Sequence, residues 1–314
     1  MKVAVLGYGG IARKYLELLR ETEFDEPLEA TVMRARPIPF DDGHRWACLS
    51  RGMPDVLDFA PDCAIVASPA TEHIRQARAL ADVGSHLLIE KPLSASLAGV
   101  DDLIGICKNK GLTLMVGYNM AYLDVLSAFI EKARAGIVGR LLAIQANVGQ
   151  YLPDWRPHLD YRNSVSVGAD RGGGVIMELS HELEYVDRLI GGTAEIFCFA
   201  GDSGLLEADV EDCADIVMKS SEGVVAQIHM DMLQKKPSRM CRIFGSEGSA
   251  SLDILGALAA AEDRNKMYRD QLAHFFQCVK GLATPLVSGE RGRRVMELIL
   301  AAKESAGRGV SVRV

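Results

Sequence analysis

The stretch that decides the fold is Lys2-Val3-Ala4-Val5-Leu6-Gly7-Tyr8-Gly9-Gly10-Ile11-Ala12, near the start of the chain. Four apolar residues after Lys2 predict a short buried strand, and Ile11–Arg20 has apolar residues at helical spacing. Between them, Gly7 permits a tight turn, Gly9 allows close approach of a pyrophosphate, and Ala12 is small enough for helix–strand packing. The pattern predicts a dinucleotide-binding turn; the alternative is a glycine-rich turn without a ligand.

Strand-like and helix-like segments alternate through the first 120 residues. The predicted strands after the first are Leu28–Met33, Ala64–Ala67, Leu87–Ile89 and Thr113–Val116. The predicted helices between them include Thr71–Asp82 and Leu97–Lys108. This alternation is typical of βαβ units, and it predicts an α/β domain over residues 1–120 with the doubly wound parallel sheet of a Rossmann fold.

The pattern changes after residue 120. A predicted helix, Leu123–Ala135, precedes a long strand in which Leu142, Ile144, Ala146 and Val148 share one face, interpreted as sheet core. Later strands follow one another without helices between them: Ala194–Ala200, Cys213–Lys219, Val224–Met232 and Met240–Phe244. We therefore expect residues 121–314 to form an α+β domain for substrate binding and oligomerisation, with an open, mostly antiparallel sheet. Two helices, at about 267–281 and 290–305, end the chain, and the last is a candidate to pack back on the Rossmann domain.

Composition excludes several classes of protein. The net charge of −7 argues against a nucleic-acid partner, because a phosphate backbone would repel this surface. No apolar run reaches the length of a membrane span, and no signal peptide precedes the first strand. The seven cysteines are odd in number and lack paired spacing, which favours reduced thiols in the cytoplasm. Neither they nor the scattered histidines show metal-ligand spacing, so no metal is predicted.

The end of the second strand bears on the choice between NAD and NADP. NAD-binding folds usually place an acidic residue here to hold the ribose 2′-hydroxyl, but this chain has Met33-Arg34-Ala35-Arg36. Because guanidinium groups pair well with phosphate, we expect NADP or NAD with NADP favoured, and Arg34 as a cofactor contact. The alternative is that Arg34 and Arg36 are solvated loop charges.

A second motif points to a family. Glu90-Lys91-Pro92 follows the strand Leu87–Ile89, some 80 residues after the glycine turn. Together these motifs resemble the glucose–fructose oxidoreductase/inositol dehydrogenase/MocA family. Further segments fit the same family over nearly the whole chain: Ser68-Pro69-Ala70-Thr71-Glu72-His73, Gly172-Gly173-Gly174 with Glu178, His181 and Asp187, Tyr268 to Phe276, and Leu286-Val287-Ser288.

The resemblance implies a cytoplasmic NAD(P)-dependent oxidoreductase that acts on a sugar, nucleotide sugar or related polyol and forms a homodimer or homotetramer. Three segments, Tyr151–Pro157, Asp160–Arg162 and Glu178–Glu182, resemble family members from bacterial surface-polysaccharide and nonulosonic-acid pathways. The glycine turn, Arg34 and the family resemblance together predict the cofactor-binding residues. These are Gly7, Tyr8, Gly9, Gly10, Ile11, Ala12, Arg34, Ser68, Pro69, Thr71, His73, Glu90, Lys91 and Asn119.

Hydride transfer requires a proton acceptor and a donor near the developing alkoxide. Lys91 follows the carboxyl end of a parallel strand and suits the donor role, unless it is an ordinary surface lysine; a cis peptide is predicted before Pro92. His181 is the candidate acid/base, or alternatively a core histidine. Glu178 precedes it by three residues and would share its helix face, whereas Asp187 is expected to be structural.

An aromatic and charged stretch precedes the triple glycine. Its candidate substrate contacts are Trp155, Arg156, Asp160, Tyr161 and Arg162. The alternative is a loop that packs domains together. Ala121 stands where the family often has an arginine, which keeps open a catalytically inactive NADP-binding redox sensor or regulatory protein. A third possibility is hydrolysis or epimerisation on a tightly held NAD.

Overall fold

The computed structural model describes residues 1–34, 42–44, 46–263 and 265–314, so Ala35 and Arg36 lie outside the described residues. It contains two compact units. The first comprises Met1–Asn119 and Asn265–Arg293, and the second comprises Met120–Arg264 and Arg294–Val314. The sequence pattern assigned residues 265–293 to the second domain, and the structure differs by placing them in the first unit.

The first unit contains a six-stranded parallel sheet of the predicted doubly wound type. The strands are β1 (Lys2–Leu6), β2 (Glu29–Met33), β3 (Cys48–Ser50), β4 (Cys63–Val66), β5 (His86–Glu90) and β6 (Leu114–Gly117). They lie side by side in the order β3-β2-β1-β4-β5-β6, which is the order of a dinucleotide-binding Rossmann fold. The helices between them are α1 (Gly10–Glu21), α2 (Met53–Phe59), α3 (Ala70–Asp82) and α4 (Val100–Lys110). The short pair β3 and α2 was not predicted.

The core of the first unit explains where residues 265–293 belong. The penultimate helix of the chain buries Leu272, Phe275 and Phe276 in one cluster with β1 and α1. The rings of Phe276 and Phe24 meet edge to face at 5.1 Å. Each such side chain contributes roughly 1.5–3 kcal/mol when fully buried, so this helix is an integral part of the unit.

The second unit contains the predicted open sheet, which has seven strands. The strands are β7 (Leu141–Gly149), β8 (Thr193–Gly201), β9 (Cys213–Ser220), β10 (Val225–Asp231), β11 (Ser238–Gly245), β12 (Gly248–Asp253) and β13 (Val312–Arg313). They lie in the order β12-β11-β7-β10-β9-β8-β13, and all neighbouring strands are antiparallel except β7 and β10, which are parallel. The remaining helices of the chain are α5 (Asp124–Arg134), α6 (Leu152–Trp155), α7 (Val175–Glu178), α8 (His181–Leu189), α9 (Ile254–Ala260), α10 (Lys266–Val279) and α11 (Gly289–Arg308).

One face of this sheet is covered and the other is open. On β7, Ile144, Ala146 and Val148 are buried as expected, because α8 packs on their side. Leu142 was predicted to join them, but it lies near the beginning of the strand and is 41% exposed. The opposite face, which this unit leaves open, includes the exposed residues Phe199 and Val217.

Across the described ranges, no helix combines the length and the apolar character that a bilayer crossing requires.

Candidate active site

The glycine turn lies at the carboxyl end of β1, directly before α1. Gly7 has φ of 109°, and a Cβ there would lie 2.3 Å from the Ala67 carbonyl oxygen. Its N–H donates to the Met33 carbonyl at 2.8 Å. A Cβ at Gly9 or Gly10, in contrast, would have no heavy atom within 4 Å. Gly7 is therefore required by the fold, whereas open space above Gly9 and Gly10 fits a group that approaches from outside.

The beginning of α1 offers favourable electrostatics for such a group. Gly9 is the N-cap and has no side chain to accept hydrogen bonds from the first turn, which contains no acidic residue. The first N–H groups of a helix lack intrahelical partners and form the positive end of its dipole. Ala12 is fully buried, so the helix begins close to the sheet. These features fit the pyrophosphate of a dinucleotide.

The side chain of Tyr8 points into the protein. It is 4% exposed, and its hydroxyl lies 3.0 Å from Nδ1 of His44. The guanidinium of Arg13 lies 5.2 Å from the centre of its ring. Only the backbone of Tyr8 therefore remains for a ligand at the turn. Ile11, in the first turn of α1, is half-buried.

Arg34 follows β2 as predicted. Its side chain is half-buried, and Nη1 has no hydrogen-bond partner among the described residues. A buried guanidinium nitrogen without a partner costs free energy, and a phosphate oxygen is a suitable acceptor for it.

The loop after β4 places its predicted residues in different environments. Pro69 is the N-cap of α3, and both it and Thr71 are exposed. The Ser68 hydroxyl donates to Oε1 of Gln76 at 2.8 Å. These positions leave Pro69 and Thr71 accessible at the edge of the sheet where the glycine turn lies.

His73 is buried and holds two loops together. Its Nε2 lies 2.8 Å from the Ser68 carbonyl and its Nδ1 lies 3.0 Å from the Pro92 carbonyl. Burial lowers the pKa of His73, although these backbone contacts oppose the shift. With 1% exposure and both nitrogens engaged, His73 fixes the loop after β5. Its place among the cofactor-binding residues stays a prediction, and its buried side chain would act by positioning these two loops.

Glu90 and Lys91 lie at the carboxyl end of β5, and the peptide between Lys91 and Pro92 is cis, which confirms that prediction. The Glu90 carboxylate accepts a hydrogen bond from the Lys91 N–H at 3.2 Å and another from the Tyr15 hydroxyl at 2.6 Å. Tyr15 in turn accepts from Nε2 of Gln271 at 2.5 Å. A polar chain from α10 through α1 thus ends directly beneath Lys91.

The environment of this chain is tightly packed. Burial raises the pKa of the Glu90 carboxyl, and the hydrogen bond from Tyr15 opposes that shift. Burial and then the nearby Glu90 carboxylate raise the pKa of Tyr15 well above its ordinary value. A Cβ at Gly117, the neighbour of Glu90 on β6, would lie 2.7 Å from Oε1 of Glu90. Asn119 follows two residues later and is 6% exposed, so little of it is open to a ligand.

In the second unit, the triple glycine precedes two short helices instead of one long helix. Glu178 is the last residue of α7, and His181 is the first residue of α8, with Leu179 and Ser180 between them. The expectation that one helix contains both Glu178 and His181 is therefore wrong, because Leu179 has ψ of 24° and interrupts the helix. Both side chains are half-buried.

Two charged contacts, neither of which sequence spacing predicts, hold α8. Glu182 is fully buried and receives two hydrogen bonds from Arg239 on β11, at 2.7 and 2.8 Å. Asp187 accepts from the Thr193 N–H at 2.8 Å, and Arg294 lies 3.6 Å away. Asp187 thus has the structural environment expected of it, and the first turn of α8 is held in place beside His181.

The aromatic and charged loop is partly self-paired. Asp160 and Arg162 form a two-point ion pair at 2.8 and 2.9 Å, and Glu207 lies 3.3 Å from the same guanidinium. The Arg162 hydrogen bond lowers the pKa of Asp160. The Tyr161 hydroxyl accepts from the Glu207 N–H at 3.3 Å. Arg162 is thus already neutralised within its own loop.

Trp155 and Arg156 complete this loop. The indole N–H of Trp155 donates to the Gln150 carbonyl at 3.0 Å, which leaves the ring half-buried at the end of α6. Arg156 follows and is exposed. Of the two predicted arginines, Arg156 is therefore the better candidate to meet an anionic ligand.

Comparison with known proteins agrees with these features. Residues 1–118 match the model of the GFO/IDH/MocA oxidoreductase family with an NAD-binding Rossmann fold, and residues 129–251 match its C-terminal domain. The chain is 24% identical over 280 residues to a 1,5-anhydro-D-fructose reductase of Ensifer adhaerens, covering 84% of this chain and 81% of that protein.

Two further proteins match over the full length. A myo-inositol 2-dehydrogenase of Thermotoga maritima is 23% identical over 342 residues, covering 100% of this chain and 98% of its own. The crystal structure of the WlbA dehydrogenase from Bordetella pertussis, in complex with NADH and UDP-GlcNAcA, superposes with a TM-score of 0.84. It is 19% identical, with coverage of 100% and 98%. The fold, the glycine turn and both family models show that this chain belongs to the Gfo/Idh/MocA family of NAD(P)-binding oxidoreductases.

Proposed function

We propose that the protein transfers hydride between a nicotinamide dinucleotide and a carbinol or carbonyl carbon of a sugar, a nucleotide sugar or a related polyol. The observation that supports it best is the open space above Gly9 and Gly10 at the beginning of a helix, in a chain of this family. The matched relatives are named for anhydrofructose and inositol, and the matched structure contains a nucleotide sugar. These names favour a polyhydroxylated substrate.

The proposed chemistry needs two groups of the protein. When bound, the nicotinamide ring supplies the hydride donor or acceptor. In the oxidation direction, the substrate carbinol loses hydride from carbon and a proton from oxygen, which His181 accepts. The Lys91 ammonium donates a hydrogen bond to the same oxygen and stabilises its developing negative charge. Glu178, three residues before His181, is proposed to favour its protonated form.

The buried chain beneath Lys91 supports its proposed role. Glu90 accepts from the Lys91 N–H and from the Tyr15 hydroxyl, which is itself held by Gln271, so the backbone at Lys91 has a defined position. His73 fixes the other side of this loop through the Pro92 carbonyl. A catalytic group must keep its position to within a fraction of an ångström, and this packing provides such a support.

The test is a substrate panel read by NAD(P)H absorbance. UDP-, GDP- and CMP-sugars, free aldoses and inositols are each incubated with both dinucleotides. We expect turnover with at least one polyhydroxylated compound, and a loss of about 100-fold or more in kcat for Lys91→Met and His181→Asn, with the dinucleotide Kd of His181→Asn unchanged. A protein that binds dinucleotide but turns over no compound would instead be the regulatory NADP-binding protein. Unchanged kcat in His181→Asn would refute its role as the acid/base.

We propose a preference for NADP through Arg34. Its buried Nη1 would donate to the 2′-phosphate, and no acidic residue follows β2 immediately. Calorimetric titration with both dinucleotides tests this proposal. Arg34→Gln should weaken NADP by about tenfold or more and leave NAD nearly unchanged, because only NADP has the phosphate. Tighter binding of NAD by the wild-type protein would contradict it.

The loop from Trp155 to Arg162 is the proposed substrate contact. We assign Arg156 to an anionic group of the substrate and the Trp155 ring to a sugar face, whereas Asp160, Tyr161 and Arg162 shape the loop through their contacts with each other and with Glu207. Arg156→Ala should therefore raise KM for charged substrates more than for neutral ones. An equal effect on both would indicate that the loop serves only packing.

We also propose a homodimer or homotetramer formed through the open sheet face. Phe199 is 69% exposed there and Val217 is 40% exposed, and a second copy would remove this apolar surface from water. Light scattering measures the mass, and Phe199→Lys should shift it toward the monomer.

All seven cysteines are free thiols, which supports a reducing compartment such as the cytoplasm.

A further inference from the structure

Three metal-binding side chains come together on the open face of the second unit, at adjacent strands. In the antiparallel register, His229 pairs with Asp215, and Asp231 pairs with Cys213. Because side chains alternate along a strand, all four lie on the same face. One donor atom each from Cys213, Asp215 and His229 lies within 4.8 Å of the other two, and all three residues are half-buried.

His229 joins two carboxylates through its two ring nitrogens. Its Nδ1 lies 2.9 Å from Oδ1 of Asp215, whereas its Nε2 lies 3.0 Å from Oδ2 of Asp231. Histidines that bind metals characteristically donate their second N–H to a carboxylate, which fixes the tautomer and the ring orientation. Asp231 is placed to be that carboxylate.

Asp231 is itself held firmly. Its side chain is 4% exposed, and it accepts hydrogen bonds from the N–H groups of Leu233 and Gln234 at 2.7 and 2.8 Å. The side-chain amide of Gln234 adds a third at 2.5 Å. Asp231 is therefore an almost fully buried carboxylate that three other donors hold in place, and it can fix the orientation of the His229 ring. A surface cluster of acidic groups has no such support.

We propose that Cys213, Asp215 and His229 bind one zinc ion. A thiolate, an imidazole and a carboxylate form a ligand set that Zn²⁺ prefers, and three protein ligands leave the fourth tetrahedral position for water. The thiol proton and the proton on Nδ1 leave when the ion binds, whereas Nε2 keeps its proton and donates it to Asp231. Sequence spacing gave no sign of this set, because the ligands come from two strands, with Asp215 and His229 14 residues apart in the chain.

The alternative for the same atoms is a charged hydrogen-bond bridge, in which a protonated His229 joins Asp215 and Asp231. Ligand protons compete with the metal, so zinc binding should release protons and strengthen as pH rises. The two states differ in a measurable way, namely in whether the protein binds zinc stoichiometrically.

The experiment uses the full chain, stripped with EDTA and titrated with zinc chloride by calorimetry, with bound metal counted by mass spectrometry. We expect one zinc per chain and an increase in Tm, since a ligand that binds only the folded state stabilises it. Cobalt(II) in place of zinc should give a thiolate-to-metal charge-transfer band, which requires the Cys213 sulfur in the coordination sphere.

Variants separate ligands from bystanders. Cys213→Ser should abolish the charge-transfer band, and His229→Gln should weaken zinc binding by about 100-fold or more. Asp231→Asn should weaken it by about 10–100-fold and keep the band, because it acts through the ring. The matched controls, Cys48→Ser and His158→Gln, change exposed residues elsewhere and should bind zinc as wild type does. Absence of stoichiometric zinc in the wild type, or wild-type affinity in Cys213→Ser with circular dichroism showing it folded, would overturn the proposal.

Discussion

Replacing two glycines of the same turn should separate the fold from cofactor binding. In Gly7→Ala, the new Cβ would lie 2.3 Å from a backbone oxygen and 2.7 Å from a backbone carbon of Ala67, neither of which can rotate away. The φ of 109° adds strain for any residue with a Cβ. Left-handed conformations cost about 1–2 kcal/mol and overpacking about 1–3 kcal/mol, so we expect a loss of about 2–5 kcal/mol in unfolding free energy.

Gly9→Ala should weaken dinucleotide binding and leave the unfolding free energy nearly unchanged. Its φ of −75° suits alanine, and the new Cβ would meet no heavy atom within 4 Å. As an N-cap change it should alter the unfolding free energy by no more than about 1 kcal/mol. The added methyl group would, however, occupy the space into which we place the pyrophosphate. We expect the dinucleotide Kd to rise about 10–100-fold, which corresponds to about 1.4–2.8 kcal/mol.

Urea unfolding and calorimetric titration with NAD and NADP measure the two effects on the same preparations. We expect Gly9→Ala to lose affinity for the dinucleotide while keeping its stability. Wild-type Kd values in Gly9→Ala would show that no phosphate approaches this backbone. A loss of stability equal to that of Gly7→Ala would show that a Cβ at Gly9 collides with the rest of the protein.

Substitutions at three further positions test the supporting structure by urea unfolding. Burial lowers the pKa of His73, so the unfolded state binds a proton more readily than the folded state does. The contribution of His73 to the unfolding free energy should therefore be fully present above about pH 6.5. Below that pH it should fall by at most about 1.4 kcal/mol per pH unit. His73→Gln should remove that part of the slope, and an unchanged slope would contradict the assignment. Tyr15→Phe removes a donor to the buried Glu90 carboxylate and should cost about 1.5–3 kcal/mol; a neutral effect would mean that the bond contributes nothing. Asp187→Ala removes the buried carboxylate that lies 3.6 Å from Arg294, which keeps Glu297 at 3.4 Å, and leaves the Thr193 N–H without its acceptor. It should cost about 2–4 kcal/mol, with Asp187→Asn milder; equal losses would show that the charge is unimportant.

Local patterns predicted the architecture because each of its elements has a local cause. The glycine turn before α1 and the alternation of strands and helices predict a parallel sheet from residues that are close in sequence. The pair β3 and α2 was missed because a three-residue strand is too short for a period to be visible. Elements of that length are stabilised by their neighbours, and their own sequence contains little information about them.

The position of α10 illustrates a different limit. Its apolar face predicts a helix that packs on something, but it contains no information about the surface on which it packs. Leu272 and Phe275 would suit either unit by composition, and only the shape of the surface beside α1 makes the choice. The same limit applies at Leu179 and Ser180, where neither glycine nor proline marks the interruption between α7 and α8.

The chain of buried polar groups beneath Lys91 shows what local sequence can and cannot reveal about a site. Motif reasoning finds Glu90 and Lys91 because they are adjacent, but Tyr15 and Gln271 are 256 residues apart and contact only in the folded unit. Each has one visible signal, a polar group on a helix face that is otherwise apolar. Burying such a group costs free energy unless a partner satisfies it, so a polar residue at a core position indicates a buried partner. Which partner it meets depends on the packing of α1, α10 and β5 together. Here Gln271 meets the Tyr15 hydroxyl, and Tyr15 meets the Glu90 carboxylate that holds the backbone of Lys91.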